Sequence, residues 1–137
     1  MTLPVGVYKI VNIQSGLSLD LSGSDKKSII GYEWHGGDNQ KWMLDHHPAD
    51  PNKYIIMASV LGMALGFVGE PESGVPIIAL PELLAWEFRP AGEDPNVFRI
   101  FVPSTPFNLA LADKNPTPGA PATLSGGLDQ TWSFEKL

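Results

Sequence analysis

The stretch Gln40-Lys41-Trp42-Met43-Leu44 recurs near the end of the chain as Gln130-Thr131-Trp132-Ser133-Phe134. Between the two, Leu84-Ala85-Trp86-Glu87-Phe88 keeps the tryptophan and its apolar neighbours but has no glutamine. The three tryptophans are 44 and 46 residues apart. Apolar residues that alternate with other residues in this way are typical of a β-strand with one buried face. The chain therefore contains an internal repeat of about 45 residues.

Other positions repeat in register with the tryptophans. Tyr8, Tyr54 and Phe98 are separated by 46 and 44 residues, and Leu19, Leu65 and Leu109 have the same spacing. Each unit contains four segments with strand-like patterns, of which the last carries the tryptophan. The predicted strands are 7–11, 17–21, 28–31 and 40–44 in the first unit, 53–57, 63–67, 75–79 and 84–88 in the second, and 97–101, 107–111, 121–124 and 130–134 in the third.

Twelve short strands in three similar units predict an all-β fold. A lone four-stranded unit would expose its sheet edges and could not bury its apolar face. Three units that close around a pseudo-threefold axis solve both problems, whereas a propeller usually needs at least four blades. We therefore expect a single β-trefoil domain over residues 1–137, with repeats at approximately 1–48, 49–92 and 93–137. The repeated tryptophans are then core residues.

The composition excludes several classes of function. The 14 glycines and 13 prolines among 137 residues suit short strands joined by tight turns. A net charge of -6 with scattered basic residues argues against nucleic acid and anionic membrane surfaces as partners. With no cysteine, disulfides and thiol chemistry are excluded. The N-terminus lacks a signal-peptide pattern and the apolar runs are too short for membrane insertion, so a cytoplasmic protein is expected.

The Gln-x-Trp triplets in repeats of this length resemble those of ricin-B-type (R-type) β-trefoil lectins. The first unit is also similar to the small mushroom ricin-B-like lectins, through 19–23, 28–32 and 35–42. Mushroom trefoil inhibitors of serine and cysteine proteases share the same scaffold. The lectin resemblance implies binding of glycans with terminal galactose or N-acetylgalactosamine, in a storage or fungal defence role.

The same resemblance implies a set of sugar-binding residues in the first unit. A carboxylate at Asp20 accepts hydrogen bonds from sugar hydroxyls, and the amide of Asn39 offers both a donor and an acceptor. An aromatic ring covers the apolar face of the sugar, and small residues let the backbone approach it. The expected ring is His35 or Trp34, and the expected small residues are Ser22 and Gly23.

Comparison of the three units locates this polar set in one place. The corresponding residues of the second and third units are Gly66 and Ala110 for Asp20, and Leu83 and Asp129 for Asn39. The core positions persist in all units, whereas the polar set is present only in the first. We therefore expect one main sugar site, in the first repeat.

Structural roles for the same residues stay open at this stage. Asp20 and Asn39 can instead hydrogen-bond loop backbone, as such side chains often do. Gln40 can be a bridge within the repeat, and His35 can cap the turn at Gly36-Gly37.

No catalytic, metal or cofactor site is predicted. The pair His46-His47 lies near Asp45 and Asp50, but adjacent histidines of a strand point to opposite faces and no third ligand is placed by spacing. These residues are expected to form a solvated linker. No Ser/His/Asp set or paired carboxylates indicate an enzyme.

A protease inhibitor is the main alternative function, and a purely structural or dimerising trefoil with no ligand is a third possibility. Lys26-Lys27 offers a basic residue to a trypsin-like pocket, and the stiff loops 70–74 and 115–119 are further candidates. The pair of Asp20 and Asn39 favours the lectin, because inhibition does not require it. A lectin with one weak site per chain would need multivalency, for example as a homodimer.

Overall fold

A computed structural model describes residues 3–113 and 115–137 of the chain. Met1 and Thr2, on which the expectation about a signal peptide partly rests, lie outside the described residues. Within the described residues, no helix has the length and apolarity that a membrane crossing requires.

The described residues contain twelve short strands, which confirm the predicted all-β fold, and their arrangement is a β-trefoil with three pseudo-threefold repeats. The strands are β1 (Gly6–Asn12), β2 (Ser18–Leu21), β3 (Ile29–Tyr32), β4 (Trp42–His47), β5 (Asp50–Ala58), β6 (Ala64–Gly66), β7 (Ile78–Leu80), β8 (Glu87–Pro90), β9 (Val97–Phe101), β10 (Asn108–Leu111), β11 (Ala122–Ser125) and β12 (Trp132–Lys136).

The ends of the predicted strands differ from the observed ones by up to three residues, and two differences in the second unit have an identifiable cause. β7 begins at Ile78 rather than at residue 75, because Pro76 lacks the N–H that a strand ladder needs. β8 begins at Glu87 rather than at residue 84, and Trp86 lies just before it in an isolated bridge to Tyr54. The repeat was thus predicted correctly, whereas several strand boundaries were wrong.

Six strands form a closed ring around the core, in the order β1, β4, β5, β8, β9 and β12. The step from β5 to β8 is made by one pair of residues: Tyr54 N–H donates to the Trp86 carbonyl at 2.9 Å, and Trp86 N–H donates to the Tyr54 carbonyl at 2.8 Å. All six strands therefore have neighbours on both sides, which removes the exposed edges that a lone unit would have.

The other six strands form three hairpins that cover one end of the ring. Isolated bridges join the hairpins to one another in pairs. These bridges are Ser28 with Ile78, Ile30 with Pro121, and Pro76 with Thr123. The hairpin of β2 and β3 is consequently held rigidly at the surface, and it carries the predicted site.

The three repeated tryptophans have the same structural role. Each is at most 1% exposed, and each indole N–H donates to the carbonyl of the repeated leucine. The pairs are Trp42 with Leu19 at 2.9 Å, Trp86 with Leu65 at 3.0 Å and Trp132 with Leu109 at 3.0 Å. A buried indole with a satisfied donor contributes apolar burial at no cost in unpaired polar groups, so the prediction of core residues is confirmed.

The histidine pair does not form the linker that was predicted. His46 and His47 are the last residues of β4, because the turn Pro48-Ala49 joins β4 directly to β5 as a hairpin. The His46 ring stacks on Tyr54 at 5.1 Å, and His47 Nε2 lies 3.1 Å from the Leu83 carbonyl. Among the described residues, no group of three or more potential ligands is placed to hold a metal ion.

Candidate functional site

Asp20 and Asn39, the two central predicted residues, are in direct contact. Asp20 lies in β2 opposite Ile30 of β3 and is only 3% exposed. Its Oδ1 accepts a hydrogen bond from Asn39 Nδ2 at 3.0 Å, and its Oδ2 accepts one from Gln40 Nε2 at 3.0 Å. Two amides thus fix the carboxylate in one orientation.

Gln40 is the bridge that holds the loop between β3 and β4. Its side chain is fully buried, and Nε2 also donates to the Glu33 carbonyl at 2.8 Å. Its Oε1 accepts the backbone N–H of His35 at 2.9 Å. These bonds use the amide completely, so the structural interpretation applies to Gln40 and leaves it no group to offer a ligand.

Asn39 makes the loop-backbone contact that the sequence left open and also contacts the Asp20 carboxylate. Its Nδ2 donates to the Leu21 carbonyl at 3.2 Å in addition to the Asp20 carboxylate. A short 3₁₀ turn over Asp38–Gln40 places Asn39 and Gln40 side by side so that each reaches one oxygen of Asp20. The turn explains why Asn directly before Gln is needed at this point of the loop.

His35 caps the turn at Gly36-Gly37, and its ring lies near Asp20. Its Nδ1 accepts the backbone N–H of Gly37 at 3.1 Å, which caps the turn and leaves the proton of the neutral ring on Nε2. That Nε2 lies 3.9 Å from Asp20 Oδ2, and the side chain is half exposed. A Cβ at Gly37 would lie 2.5 Å from His35 Cε1 and 2.7 Å from Asn39 Oδ1, so only glycine fits beneath these two side chains.

Trp34 does not lie with the other predicted residues. Its ring packs against Lys9 instead, whose Nζ lies 4.7 Å from the ring centroid. The ring beside the carboxylate is instead Tyr32 at the end of β3, which is 43% exposed and packs edge-on against His35 at 6.3 Å. Of the two predicted platforms, the structure brings only His35 to Asp20, and sequence reasoning missed Tyr32.

Hairpin register was the signal that could have identified Tyr32. In the pairing of β2 with β3, Asp20 lies opposite Ile30 and Ser18 lies opposite Tyr32. Residues two apart on a strand share a face, so Tyr32 is a diagonal neighbour of Asp20. The sequence, together with this hairpin register, could thus have predicted that Tyr32 lies beside Asp20.

These side chains surround an open depression of about 290 Å³, which we call the first-repeat pocket. Its walls are formed by Asp20, Ser22, Gly23, Ser24, Ile30, Tyr32, His35 and Asn39. Ser22 and Gly23 were predicted and do lie in this wall. Asp20 supplies the sole carboxylate of the lining, at the foot of a pocket with one tyrosine and one histidine ring.

The turn that carries Ser22 and Gly23 is closed by Asp25. Its carboxylate accepts the Ser28 hydroxyl and the backbone N–H groups of Ser28 and Lys27. These hydrogen bonds lower the pKa of the Asp25 carboxyl to about 2. The turn therefore keeps its shape at any pH at which Asp25 is ionised.

Burial raises the pKa of the Asp20 carboxyl above its ordinary value. Hydrogen bonds from Gln40 and Asn39, together with the attraction of the His35 ring whenever that ring is protonated, oppose this effect only in part. The folded protein therefore holds a desolvated carboxylate at a cost in stability. Such a group is a strong acceptor for any hydroxyl that enters the pocket.

Comparison with known proteins supports a family assignment. The sequence pattern of the family described as "Ricin-type beta-trefoil lectin domain-like" matches residues 2–80, more than half of the chain. The chain belongs to this family. Ricin-type β-trefoil lectins are carbohydrate-binding domains, and the matched part of this ricin-type trefoil contains the whole first-repeat pocket. No curated protein sequence gives a significant match to the chain.

Solved structures similar to this ricin-type trefoil include two from fungi. The Macrolepiota procera ricin B-like lectin, solved in complex with lactose, is 34% identical over the full length of both chains, with a TM-score of 0.90. The Rhizoctonia solani agglutinin is 26% identical over 100% of this chain and 99% of its own, with a TM-score of 0.84. The designed threefold-symmetric protein ThreeFoil, at 24% identity over 96% and 99% of the two chains and a TM-score of 0.81, shares the fold.

The second repeat of this ricin-type trefoil lacks room at the corresponding position. Gly66 replaces Asp20 there, and Leu84 replaces Gln40. A Cβ at Gly66 would lie 2.7 Å from a methyl of Leu84 and 2.9 Å from one of Leu80. Leucine side chains thus occupy the volume that the carboxylate and amide take in the first repeat.

Proposed function

We propose that the protein is a lectin for glycans with terminal galactose or N-acetylgalactosamine, with one main site in the first-repeat pocket. The observation that carries this proposal is the buried carboxylate of Asp20, held by two amides at the foot of an open pocket beside the Tyr32 ring. The lactose bound to the Macrolepiota procera relative supports the choice of sugar.

The chemistry of galactose suits the residues that line the pocket. The 3- and 4-hydroxyls are adjacent and can both donate to the Asp20 carboxylate, whereas Asn39 and the Nε2–H of His35 add an amide and a donor. The axial 4-hydroxyl leaves the opposite face of the sugar as a continuous apolar C–H surface. The Tyr32 ring provides the aromatic surface on which that face packs.

The protease-inhibitor alternative gains no support from the first-repeat turn. Lys26 has a φ of 56°, and its N–H donates to the Ser22 carbonyl within the turn that Asp25 closes. A segment that enters a protease cleft adopts an extended conformation and pairs with the edge of the enzyme. A closed turn with a left-handed lysine does not present such a segment.

Chromatography on immobilised galactose tests the proposed function. We expect the protein to be retained and to elute with free galactose, and to pass unretained through a matching glucose column, because glucose differs only in the orientation of its 4-hydroxyl. The same preparation is assayed for inhibition of trypsin. If the protein passes unretained through the galactose column and inhibits trypsin stoichiometrically, the lectin proposal is wrong and the protease-inhibitor function is supported.

Acid is expected to release the sugar. The carboxylate form of Asp20 accepts the sugar hydroxyls, and its pKa is raised, so affinity is constant above that pKa and falls as the pH drops through it. Well below the pKa, the loss approaches about tenfold for each further pH unit. Stability depends on pH with the opposite sign. Because the pKa of Asp20 is raised in the folded state, protonation of Asp20 favours the folded state, and this contribution to the free energy of unfolding is lost as the pH rises through that pKa. Titration calorimetry from about pH 7 down to about pH 3, which lies below the ordinary pKa of an aspartate, measures the affinity.

Asp25 provides the internal control for this acid effect. Its carboxyl stays ionised until the pH approaches its pKa of about 2, so the turn around Ser22 and Gly23 persists while Asp20 titrates. Near-ultraviolet circular dichroism should therefore stay constant over the range in which affinity falls. An affinity that does not change with pH over this range would contradict the role of Asp20.

A further inference from the structure

A second cavity adjoins the first-repeat pocket on the side of the second repeat. Its volume is about 140 Å³, and its walls are formed by Leu21, Ser22, Gly23, Lys26, Asn39, Val60 and Leu61. Ser22, Gly23 and Asn39 belong to both cavities. A group attached to a sugar in the first pocket can therefore reach the second one across Gly23, which has no side chain to block the way. We call this second cavity the aliphatic cleft.

The outer wall of the aliphatic cleft is the turn between β5 and β6. Val60 is 37% exposed and Leu61 is 57% exposed. Leu61 also has a φ of 70°, a left-handed conformation that a leucine rarely adopts. The corresponding turn of the third repeat also contains a left-handed residue, Ser104 with a φ of 62°, so this conformation belongs to the turn. What is particular to the turn of the second repeat is a bulky apolar side chain that is exposed to water.

The corresponding turns of the other repeats provide a comparison within the chain. The repeat spacing aligns Val60-Leu61 with Gln14-Ser15 in the first repeat and with Ser104-Thr105 in the third. All three turns join the first two strands of a unit, yet only the turn beside the first-repeat pocket is apolar. The fold therefore accepts polar residues at these positions, and the aliphatic pair needs another explanation.

Gln14 shows what a polar residue does at this junction. Its Nε2 donates to the Thr131 hydroxyl at 3.0 Å, and its Oε1 accepts the Thr131 N–H at 2.8 Å. The backbone contact at the two junctions is the same: Ile13 N–H donates to the Thr131 carbonyl, and Ser59 N–H donates to the Lys41 carbonyl. Val60 gives up the two side-chain bonds that Gln14 makes and exposes an apolar surface instead.

We propose that the aliphatic cleft binds an aromatic aglycone of the galactoside held in the first-repeat pocket, an inference that rests on the proposed function. A cavity of about 150 Å³ with aliphatic walls holds one benzene ring, so the volume fits a single ring. Lys26 also lines the cleft, and no carboxylate among the described residues lies within salt-bridge distance of its ammonium group. An ammonium group without a carboxylate partner can be placed over the face of a bound ring, which favours an aromatic ring over an alkyl chain.

Calorimetry with paired glycosides tests this assignment. We expect wild-type protein to bind phenyl β-galactoside about tenfold more tightly than methyl β-galactoside, because the ring is removed from water. The variant Val60→Gln/Leu61→Ser carries the residues of the first-repeat turn, which that turn tolerates. In this variant the phenyl preference should disappear, whereas the affinity for the methyl glycoside stays unchanged. Val68→Ser, which alters another exposed apolar residue away from the cleft, should keep the preference.

The outcomes separate the two proposals. Binding of the methyl glycoside with no phenyl preference overturns the aglycone assignment and leaves the lectin intact, and so does a double variant that keeps the preference. Failure of wild-type protein to bind either glycoside overturns both proposals. The assignment to an aromatic ring is overturned if hexyl β-galactoside binds as tightly as the phenyl glycoside and if Lys26→Met leaves the affinity for the phenyl glycoside unchanged. Dimerisation that the double variant abolishes, measured by light scattering, would assign the cleft to a second copy of the chain.

Discussion

Alanine at Asp20 is expected to abolish retention on immobilised galactose while the protein stays folded. Among the described residues that line the first-repeat pocket, the variant removes the only carboxylate, and with it the two charge-assisted hydrogen bonds that the proposed lectin would make to the sugar. Each such bond contributes about 1.5–3 kcal/mol, so affinity should fall by at least about two orders of magnitude. Calorimetry with methyl β-galactoside measures the loss.

The fold should survive this change for two reasons. Asn39 keeps the Leu21 carbonyl as an acceptor, and Gln40 keeps the Glu33 carbonyl, so neither amide is left without a partner. The raised pKa of Asp20 also means that its charge is held at a cost in stability, which the variant no longer incurs.

Asp38→Ala is the matched control for Asp20→Ala. It removes a carboxylate from the neighbouring loop that is 79% exposed and lies outside the pocket, so sugar binding should be unchanged. Full retention of Asp20→Ala on the galactose column, with a native circular dichroism spectrum, would refute the proposed site.

Alanine at Trp86 is expected to cause the largest loss of stability among substitutions in the second repeat. The side chain is fully buried, its indole N–H donates to the Leu65 carbonyl at 3.0 Å, and its backbone pairs with Tyr54 to close the ring of strands. Truncation of a buried tryptophan to alanine costs about 3–5 kcal/mol, a large share of the stability of a small domain. Urea unfolding followed by circular dichroism measures the change in midpoint.

Trp34→Ala compares the same change at an exposed position. Its ring contacts Lys9 at the surface, so the free energy of unfolding should change by less than about 1 kcal/mol. Sugar binding should persist as well, because Trp34 lies outside the pocket wall. Equal losses of stability in the two variants would contradict the assignment of Trp86 to the core.

Much of the fold could be predicted from the sequence because the core repeats. Tryptophan, leucine and aromatic residues recur at fixed spacing, and each triple has one structural role, as the three indole-to-carbonyl bonds show. The strand limits around Pro76 and Trp86 were not predictable in the same way. There a missing N–H and an isolated bridge decide where the ladder begins, and neither alters the apolar pattern.

The candidate site was predictable where its residues differ from their counterparts in the other repeats. Asp20 and Asn39 were identified in this way, and the structure joins them at 3.0 Å. Tyr32 was not predicted, because it lies at a strand end and only the register of β2 with β3 places it beside Asp20. The aliphatic cleft was not predicted for a related reason. Val60 and Leu61 belong to another repeat, and only the closed ring of strands brings them beside Asn39.

The different surroundings of the four tryptophans have a spectroscopic consequence. Three indoles are enclosed in the core, so their fluorescence is shielded from solvent and from dissolved quenchers such as iodide. Trp34 is 36% exposed and immediately precedes His35 in the chain. Its emission is therefore shifted to the red of the other three and is the component that a quencher reaches. Light collected at the red edge reports on the loop beside the pocket, with no label attached.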